Sequence, residues 1–492
     1  MRIRTPPHPR KGVFFCAALC FGLSGLVTQA AHSADAPPEI KPGKLASTFE
    51  QLRVHEVADQ LIRYLGKAVE WVDKPDSRLP AQSLAAKISS AVVAHPEVRL
   101  SGEQREGASQ ATREAFAGYL PQVSANIESG KRSYDLVNTP WSKVPAYTDN
   151  SRALALSARQ LIYDFGAVSG QVDARTALER AAAARLELKT SELTLRALTA
   201  WLEVFRAREI LVLSRMNVLS RQQIHSFIEE REKLGGSAQS DVLRSRARLA
   251  DAQATAIVAE SRLTAAEAQY REVFDEPPPA QLPLPAAAPV DLARFASLTD
   301  WMQRNANLTD ARAQTEAASH AAKSAAAALM PSIHLDITAR RRDIGGEGIP
   351  GSDWTAGFLL KQELYSGGAD VARKRQADQR AKESQLSEDN LKRQLERAFA
   401  QSIADVKNST KAMAARKESV QVAAVALEAV REQFAFRRGT LLDLLRAQEE
   451  LYLAGRDLID GVVDHALARH RLLHLSMELT PLFEIGIATA AP

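Results

Sequence analysis

The apolar residues of this chain recur with two different periods. Most of the chain shows the spacing of helices, whereas short stretches alternate strictly, which is the spacing of strands. Two helical stretches, residues 171–234 and 369–438, contain neither glycine nor proline. An uninterrupted helix over either stretch would be about 100 Å long. Because helices of that length pack as coiled coils, the pattern predicts two long coiled-coil helices.

Shorter helical patterns accompany each long one. Residues 240–274 and 440–477 follow the long stretches, and residues 84–118 and 298–328 precede the alternating ones. We expect the shorter helices to stack end to end beside the long ones. Alanine is dense along the apolar stripes, as at 181–184, and small residues let helices wrap into a hollow cylinder. The alternative is a solid antiparallel bundle with larger leucine and isoleucine side chains in its core.

Alternation is clearest at residues 333–340, where Ile, Leu, Ile and Ala alternate with His, Asp, Thr and Arg. A return strand is predicted at 354–365, after a glycine-rich loop, and the first half repeats the hairpin more weakly at 123–127 and 153–162. Strands of about ten residues with one apolar face suit a water-filled membrane barrel. Four strands cannot close a barrel, but three copies of the chain would leave no edge in lipid. A soluble sheet with one wetted face is the alternative.

The second half of the chain repeats the order of the first. Pro121 and Pro331 lie 210 residues apart, and each ends a helical pattern and begins an alternating one. Proline has a fixed φ and no amide hydrogen, so a helix stops there. The segments 160–166 (QLIYDFG) and 362–368 (QELYSGG) correspond in the same way where a strand passes into a helix. The candidate residues of these strand-to-helix junctions are Tyr163, Asp164, Gly166, Tyr365, Gly367 and Gly368.

These signals divide the chain into six parts. They are a signal peptide (1–34), an N-terminal extension (35–83), a first repeat (84–276), a Pro- and Ala-rich linker (277–294), a second repeat (295–482) and a C-terminal tail (483–492). Each repeat is expected to hold a helix, two strands and a long helical hairpin. In the extension, apolar residues at helical spacing predict an amphipathic helix without an assigned role: Phe49, Leu52, Val57, Leu61 and Leu65.

The N-terminus has the parts of a secretory signal. Basic residues precede an apolar run at 13–27, which is too short to span a bilayer of about 30 Å. Cleavage after Ala30 or Ala34 is expected, and an uncleaved anchor is the alternative. Both cysteines, Cys16 and Cys20, lie in this segment, so the processed chain should contain no disulfide and no thiolate site. Lipidation of Cys20 is disfavoured, because a leucine precedes it where a lipobox has a small residue.

Composition and charge argue against several functions. The formal charge of +4 is small for 492 residues, and no basic cluster with interleaved aromatic residues indicates nucleic-acid binding. We find no convergent polar constellation and predict no catalytic residue, no cofactor and no metal site. His470 and His474 have the spacing of metal ligands, but we expect them on a solvated coiled-coil face. Residues 164–166 have the sequence Asp-Phe-Gly, which also occurs in protein kinases, but the glycine-rich and catalytic loops of a kinase are absent from this sequence. The turn between a strand and a helix accounts for the triplet.

The duplicated order, the prolines, the strand-to-helix corners and the glycine turns at 236–243 and 439–445 together resemble the TolC family of outer-membrane factors. The resemblance covers about residues 85–482. It implies a fold that is mainly α with a β-barrel part. A 12-stranded transmembrane barrel, with four strands from each of three protomers, would continue into a 12-helix periplasmic α-barrel of long antiparallel coiled coils.

The resemblance also implies the partners. Members form homotrimers embedded in outer-membrane lipid, and they act as the exit duct of a tripartite export system. A periplasmic adaptor protein connects the duct to an inner-membrane pump, either an ABC exporter or a proton-driven efflux pump. Because the pump supplies the energy, the duct is not expected to be an enzyme.

The second glycine turn bears on the branch of the family. Gln433-Phe434 followed by RRGTLLDLL at 437–445 resembles the corresponding stretch of type I secretion partners, including LapE-like adhesin exporters. We therefore expect export of a large protein or adhesin. The alternative is multidrug or metal efflux, although the missing lipobox argues against the lipidated drug-efflux members.

The turns at the ends of the long helices are the candidate functional sites. The resemblance implies adaptor docking and closure of the periplasmic aperture, whereas helix-turn chemistry alone requires only a glycine and a cap. Three copies of Asp241 and Asp443 near a threefold axis would repel one another, and Arg437, Arg438 or Arg446 would offset that repulsion. Arg446 stands where the family archetype has a second acidic residue. The candidate residues are Gly235, Gly236, Asp241, Val242, Leu243, Arg438, Gly439, Thr440, Asp443, Leu444 and Arg446.

Overall fold

The computed structural model describes residues 54–73, 81–134, 147–285, 290–296, 298–342, 344, 351–436 and 438–485. Several predictions concern residues outside this part of the chain and stay predictions. They are the signal peptide with both cysteines, residues 35–53 and 74–80 of the extension, the strand loops at 135–146 and 345–350, residues 286–289 of the linker, Arg437, and the tail from residue 486.

Two helices have the predicted length. Helix α4 (Ala167–Lys233) and helix α8 (Ala369–Ala435) each contain 67 residues, which is about 100 Å of helix. No helix in the described part of the chain combines the length and the apolar character of a membrane span. The remaining helices are α1 (Val54–Asp73), α2 (Ala81–Ala94), α3 (Pro96–Phe116), α5 (Gln239–Phe274), α6 (Leu298–Arg304), α7 (Ala306–Ala327), α9 (Leu441–Leu475) and α10 (Leu479–Leu482).

The helix that opens each repeat is broken, so the expectation of single helices at 84–118 and 298–328 was wrong. The breaks lie at His95, between α2 and α3, and at Asn305, between α6 and α7. Both residues are N-caps. The His95 imidazole accepts from the Glu97 amide at 3.3 Å, and the Asn305 side-chain oxygen accepts from the Asn307 amide at 3.0 Å. Each cap satisfies an amide that lacks a helical partner, so the break recurs in both repeats.

The helices lie side by side in a layer. The half of α4 nearer the strands contacts α3, and the other half contacts α5. On its other side α4 contacts α7 and α9, which in turn contact α8. The shorter helices therefore share the length of the long ones, as predicted. A layer of this kind can curve into a hollow cylinder, whereas a solid bundle would gather its helices around one common core.

Four strands form one antiparallel sheet in the order β1 (Gln122–Tyr134), β2 (Tyr147–Tyr163), β3 (Ser332–Arg342) and β4 (Gly351–Lys361). Strand β2 joins β3 across the two repeats, and the Arg159 guanidinium makes two hydrogen bonds to the Asp336 carboxylate, at 2.7 and 3.2 Å. The last strand starts three residues before the predicted Trp354 and ends at Lys361 instead of residue 365.

The register separates the two faces of this sheet. Gln122 and Asp336 flank Arg159 on the polar face. On the other face Ile127 pairs with Leu154, and Ile127 is 81% exposed. Phe358, opposite Leu335 on the same face, is 74% exposed. The predicted alternation of apolar and polar side chains is confirmed, and an exposed apolar face suits contact with lipid.

The N-terminal extension contributes a helix to the helical layer. The apolar face of α1 packs against α4, α8 and α9, where Leu61 is 2% exposed and Leu65 is fully buried. Phe49 and Leu52, which the predicted amphipathic pattern included, lie outside the described residues.

The described part of the linker packs against α4. The Trp201 indole donates to the Pro283 carbonyl at 3.1 Å, and the Arg208 guanidinium donates to the Ala280 carbonyl at 3.2 Å. Leu284 is buried in the same apolar cluster as Leu202 of α4. The passage between the repeats is therefore attached to the middle of the long helix.

Candidate functional site at the tips of the hairpins

Helices α4 and α5 form hairpin 1, which turns at a pair of glycines. Gly235 has a φ of +70°, a left-handed conformation that favours glycine. Its amide donates to the Glu232 carbonyl and the Gly236 amide donates to the Arg231 carbonyl, both at 2.8 Å. The Arg231 side chain in turn donates to the Gly236 carbonyl at 2.8 Å. The two predicted glycines thus form a closed turn that ends α4.

The other candidates of hairpin 1 lie in the first turn of α5 and face different surroundings. The Asp241 carboxylate lies 3.9 Å from the Arg244 guanidinium. Val242 packs against the core between the hairpins, whereas Leu243 is 61% exposed. The N-cap is Ala238, which has no side chain that can accept a hydrogen bond. This tip therefore offers an acidic group and an exposed leucine on an uncapped helix.

Helices α8 and α9 form hairpin 2, whose turn is capped by side chains. The amides of Arg438 and Gly439 donate to the Gln433 carbonyl, at 2.8 and 3.1 Å. Thr440 is the N-cap of α9, and its hydroxyl accepts from the Asp443 amide at 3.2 Å. The Asp443 carboxylate accepts in return from the Thr440 amide at 3.3 Å and the Thr440 hydroxyl at 2.6 Å. These reciprocal bonds form a capping box.

Charge at the second tip is concentrated on three exposed side chains. Hydrogen bonds from Thr440 hold the pKa of Asp443 below its usual value, and the nearby Arg446 guanidinium acts in the same direction. Arg438 is exposed in the same turn, whereas Leu444 is buried. The tip thus presents both signs of charge around an ionised carboxylate.

The two tips of one protomer contact each other. The rings of Phe227 and Phe434 meet edge to face, with centroids 6.1 Å apart. The Arg231 guanidinium lies 5.6 Å from the centroid of the Phe434 ring, a cation–π distance. Arg231 also closes the turn of hairpin 1, so a single side chain couples that turn to hairpin 2.

A polar seam, which the sequence did not predict, joins the hairpins above the tips. Arg221 of α4 is buried, and its guanidinium donates to the Leu445 carbonyl at 3.1 Å and to the Glu449 carboxylate at 2.8 Å. The Gln448 amide donates to the Ser220 hydroxyl at 2.8 Å. A polar run within an otherwise apolar helix stripe, Ser220-Arg221, was the one available signal. Nothing in the sequence indicates its partners, because they lie more than 220 residues away.

The junction residues lie where the helical layer meets the sheet. Pro121 and Pro331 directly precede β1 and β3. Asp164 caps α4, since its carboxylate accepts from the Gly166 amide at 3.0 Å and the Val168 amide at 2.7 Å. Ser366 takes the same place before α8 and accepts from the Asp370 amide at 3.3 Å. The glycines at these corners all have positive φ: Gly166 (+96°), Gly367 (+66°) and Gly368 (+85°). The tyrosines before the corners, Tyr163 and Tyr365, are exposed.

The expectation that His470 and His474 lie on a solvated face was wrong. His470 is 2% exposed, and burial lowers its pKa to about 4. His474 is mostly buried, and its Nδ1 lies 2.8 Å from the Ser191 hydroxyl of α4. Both side chains belong to the contact between α9 and its neighbours. Within the described residues, no group of three or more potential ligand side chains is placed to hold a metal ion.

The capping box gives a test of local stability at the tips. We expect Thr440→Ala to destabilise the start of α9 by about 1 kcal/mol, because the Asp443 amide loses its acceptor. Conversely, Ala238→Thr should stabilise the start of α5 by roughly 0.5–1 kcal/mol, since it supplies the missing cap. Hydrogen exchange of the tip peptides measures both effects. Thr440→Ser keeps the hydroxyl and serves as control, and equal exchange in Thr440→Ala and Thr440→Ser would contradict the capping role.

This chain is similar to a known protein family and to several characterised proteins. Residues 298–475 match the family model described as "Outer membrane efflux protein". The chain is 25% identical over 381 residues to the proteases secretion protein PrtF of Dickeya chrysanthemi, covering 74% of this chain and 81% of PrtF. It is also 25% identical over 415 residues to the outer membrane protein TolC of Vibrio cholerae, covering 79% of this chain and 89% of TolC.

A solved structure shares the fold. The outer membrane protein VceC from Vibrio cholerae aligns with a TM-score of 0.71 at 17% sequence identity, over 80% of this chain and 96% of VceC. The agreement covers nearly the whole of VceC, so the helical layer and the small sheet belong to one shared architecture.

Proposed function

Because this chain is a TolC-family outer-membrane factor, a channel of the outer membrane that extends into the periplasm, we propose that it is the exit duct of a type I secretion system. The proposed cargo is a large protein or adhesin, and the proposed pump is an inner-membrane ABC exporter. Family members are trimeric channels rather than enzymes, and we propose a homotrimer of this chain joined to the pump by a periplasmic adaptor.

The observation that carries this proposal is the second tip. Its sequence resembles that of type I secretion partners, and residues 438–445 fold as a turn closed by the Thr440–Asp443 capping box. Similarity to PrtF, whose name records the secretion of proteases, supports the same branch. The alternative is efflux of small molecules, which the description of the matching family favours.

We further propose that the tips dock the adaptor and close the aperture. In a trimer, copies of Asp241 and Asp443 around the axis repel one another, which favours opening. Arg446 and Arg438 carry the opposite charge beside Asp443 and offset that repulsion in the closed state. Arg446 therefore compensates part of the acidic charge at the tip, whereas an acidic residue at this position would add to it. The corners and prolines at the sheet are proposed to fix the direction in which each helix leaves the barrel.

A deletion strain separates the two branches. We expect loss of a large secreted or surface protein with unchanged drug susceptibility, because the duct serves one exporter. The measurements are mass spectrometry of the medium and the cell surface, and minimal inhibitory concentrations for a panel of drugs. Hypersensitivity to drugs with an intact secretome would overturn the secretion proposal in favour of efflux.

A variant of the tip tests the charge argument in the same strain. Arg446→Asp should raise susceptibility to antibiotics that the outer membrane normally excludes several-fold at normal trimer levels, because it removes three positive charges and adds three negative ones where repulsion already favours opening. Arg397→Asp is the matched control, since Arg397 is exposed on α8 about 57 Å of helix from the tip. Equal susceptibility of the two variants would show that the tip charges do not hold the channel closed.

A further inference from the structure

Helix α1 lies across the boundary between the two hairpins. Its apolar residues Ala58, Leu61, Leu65, Ala68 and Val69 are buried. The cluster that buries most of them combines side chains from α4 in hairpin 1 with side chains from α8 and α9 in hairpin 2. One helix from the N-terminal extension therefore covers both hairpins at once.

Polar side chains of α1 attach it to each hairpin separately. The Asp59 carboxylate accepts from the Arg431 guanidinium of α8 at 2.9 Å, and Arg431 is buried. The Tyr64 hydroxyl donates to the Glu209 carboxylate of α4 at 2.5 Å and lies 3.1 Å from the Glu209 carbonyl. Burial of Tyr64 beside that carboxylate raises the pKa of its hydroxyl, which therefore stays protonated and donates. The two contacts hold opposite sides of the boundary.

The groove beneath α1 is shaped for this helix. Leu65 fills the space above Gly455 of α9, where an added Cβ would lie 2.6 and 3.1 Å from the two Leu65 methyl carbons. A side chain at position 455 would therefore force Leu65 to shift. Further along, the ring of Trp71 meets Phe205 of α4 with centroids 5.3 Å apart. The groove therefore selects a helix with a leucine at this place, an acidic residue six positions before it and an aromatic residue six positions after it.

The attachment points lie at different distances from the tips. Arg431 is one turn from the end of α8, next to the tip of hairpin 2. Glu209 precedes the end of α4 by 24 residues, which is about 36 Å of helix. A helix fixed at both places opposes sliding and separation of the hairpins. Separation of the hairpins along this length would break one of its contacts.

We propose that the groove between the hairpins is a binding site for an amphipathic helix, and that α1 is its resident occupant, a strap that restrains opening of the tips. The proposal rests on the channel architecture and not on the secretion branch. Release of α1 lets the hairpins separate, and rebinding draws them together.

A disulfide tests the strap directly. The two native cysteines lie in the predicted signal, so Leu65→Cys with Gly455→Cys adds the only thiols of the processed chain. An added Cβ at 455 would lie 2.6 Å from a Leu65 methyl carbon, so the two cysteine side chains are expected to meet. Purified trimer in planar lipid bilayers is measured with and without reductant. We expect the oxidised form to open several-fold less often than the reduced form.

Two further variants keep the test independent of the disulfide. Deletion of 54–73 should raise the open probability several-fold, and a synthetic peptide of 54–73 should bind the deleted channel and lower it again. Gly455→Leu expels Leu65 without shortening the chain and should also raise opening. Arg63→Ala, on the exposed face of α1, is the control and should behave as wild type.

Equal open probability in the oxidised, reduced, deleted and Gly455→Leu channels would overturn the strap. Failure of the peptide to bind the deleted channel would overturn the helix-binding site. Because the assay contains neither pump nor adaptor, its outcome does not depend on whether the chain serves secretion or efflux.

Discussion

Replacing Gly170 by alanine is expected to destabilise the protein by about 1–3 kcal/mol per protomer, although alanine is the better helix former. Gly170 lies in the first turn of α4, where this helix crosses α7. An added Cβ would lie 2.8 Å from the Ser324 Cβ, 3.0 Å from the Ser324 amide nitrogen and 3.1 Å from the His320 carbonyl. Two of these atoms are backbone, so no side chain can move aside to make room.

The helices cannot separate cheaply at this crossing. The Ser324 hydroxyl donates to the Ala167 carbonyl at 2.7 Å, one turn from Gly170. Moving α7 away to admit a methyl group would break that bond and shift the helix that leads into β3. The destabilisation expected for Gly170→Ala therefore comes from overpacking the added methyl group against α7, which cannot move away.

Gly107→Ala is the matched control for this prediction. Gly107 lies inside α3, and an added Cβ there would meet no atom within 4 Å. The same substitution should stabilise by roughly 0.5–1 kcal/mol, because alanine loses less conformational entropy in a helix. Thermal unfolding of the detergent-solubilised trimer, followed by circular dichroism, compares the two. A Gly170→Ala protein that melts at or above the wild-type temperature would contradict the packing argument.

The sheet could be predicted closely because its signal is local. A shift of one residue would move every side chain of β3 to the other face, so the alternation of Ile333 to Arg340 fixes which face is apolar. The long helices were equally accessible, since the absence of glycine and proline over more than 60 residues leaves few alternatives. The boundaries were less accurate where a polar cap decides them, as at His95 and Asn305.

Contacts between distant segments could not be predicted. The sequence does not show that Arg221 is buried under α9. By itself, Gly455 would only be expected to weaken its helix, and the sequence does not show that Leu65 of α1 packs against it. Both depend on which helices are neighbours, and one sequence does not record that. The candidate tips were found because turns and caps are local, whereas the seam that joins the hairpins behind them is not.

Acidification is expected to weaken the helical layer through the histidines of α9. Burial lowers the pKa of His470 from an ordinary 6.5 to about 4, and it lowers the pKa values of His465 and His474 as well. The folded protein therefore holds these rings neutral at a pH where the unfolded chain would take up protons. Stability is fully present above pH 6.5 and falls as the pH drops toward 4.

The size of this effect follows from His470 alone. A pKa lowered from 6.5 to about 4 corresponds to roughly 3 kcal/mol lost at pH 4, and to roughly 2 kcal/mol at pH 5. His470→Leu places a neutral side chain of similar volume in the same buried position and removes this contribution. The measurement is the melting temperature of the trimer between pH 7.5 and 5, which should fall less in His470→Leu than in wild type.

A second histidine, outside the buried group on α9, provides the control substitution. His320 lies on α7 with its side chain 23% exposed, 3.6 Å from the Asp173 carboxylate and 3.7 Å from that of Glu316. His320→Leu should therefore leave the acid sensitivity in place. If His470→Leu and wild type lose the same stability between pH 7.5 and 5, the buried imidazole does not set the response, and the acid sensitivity belongs to other groups.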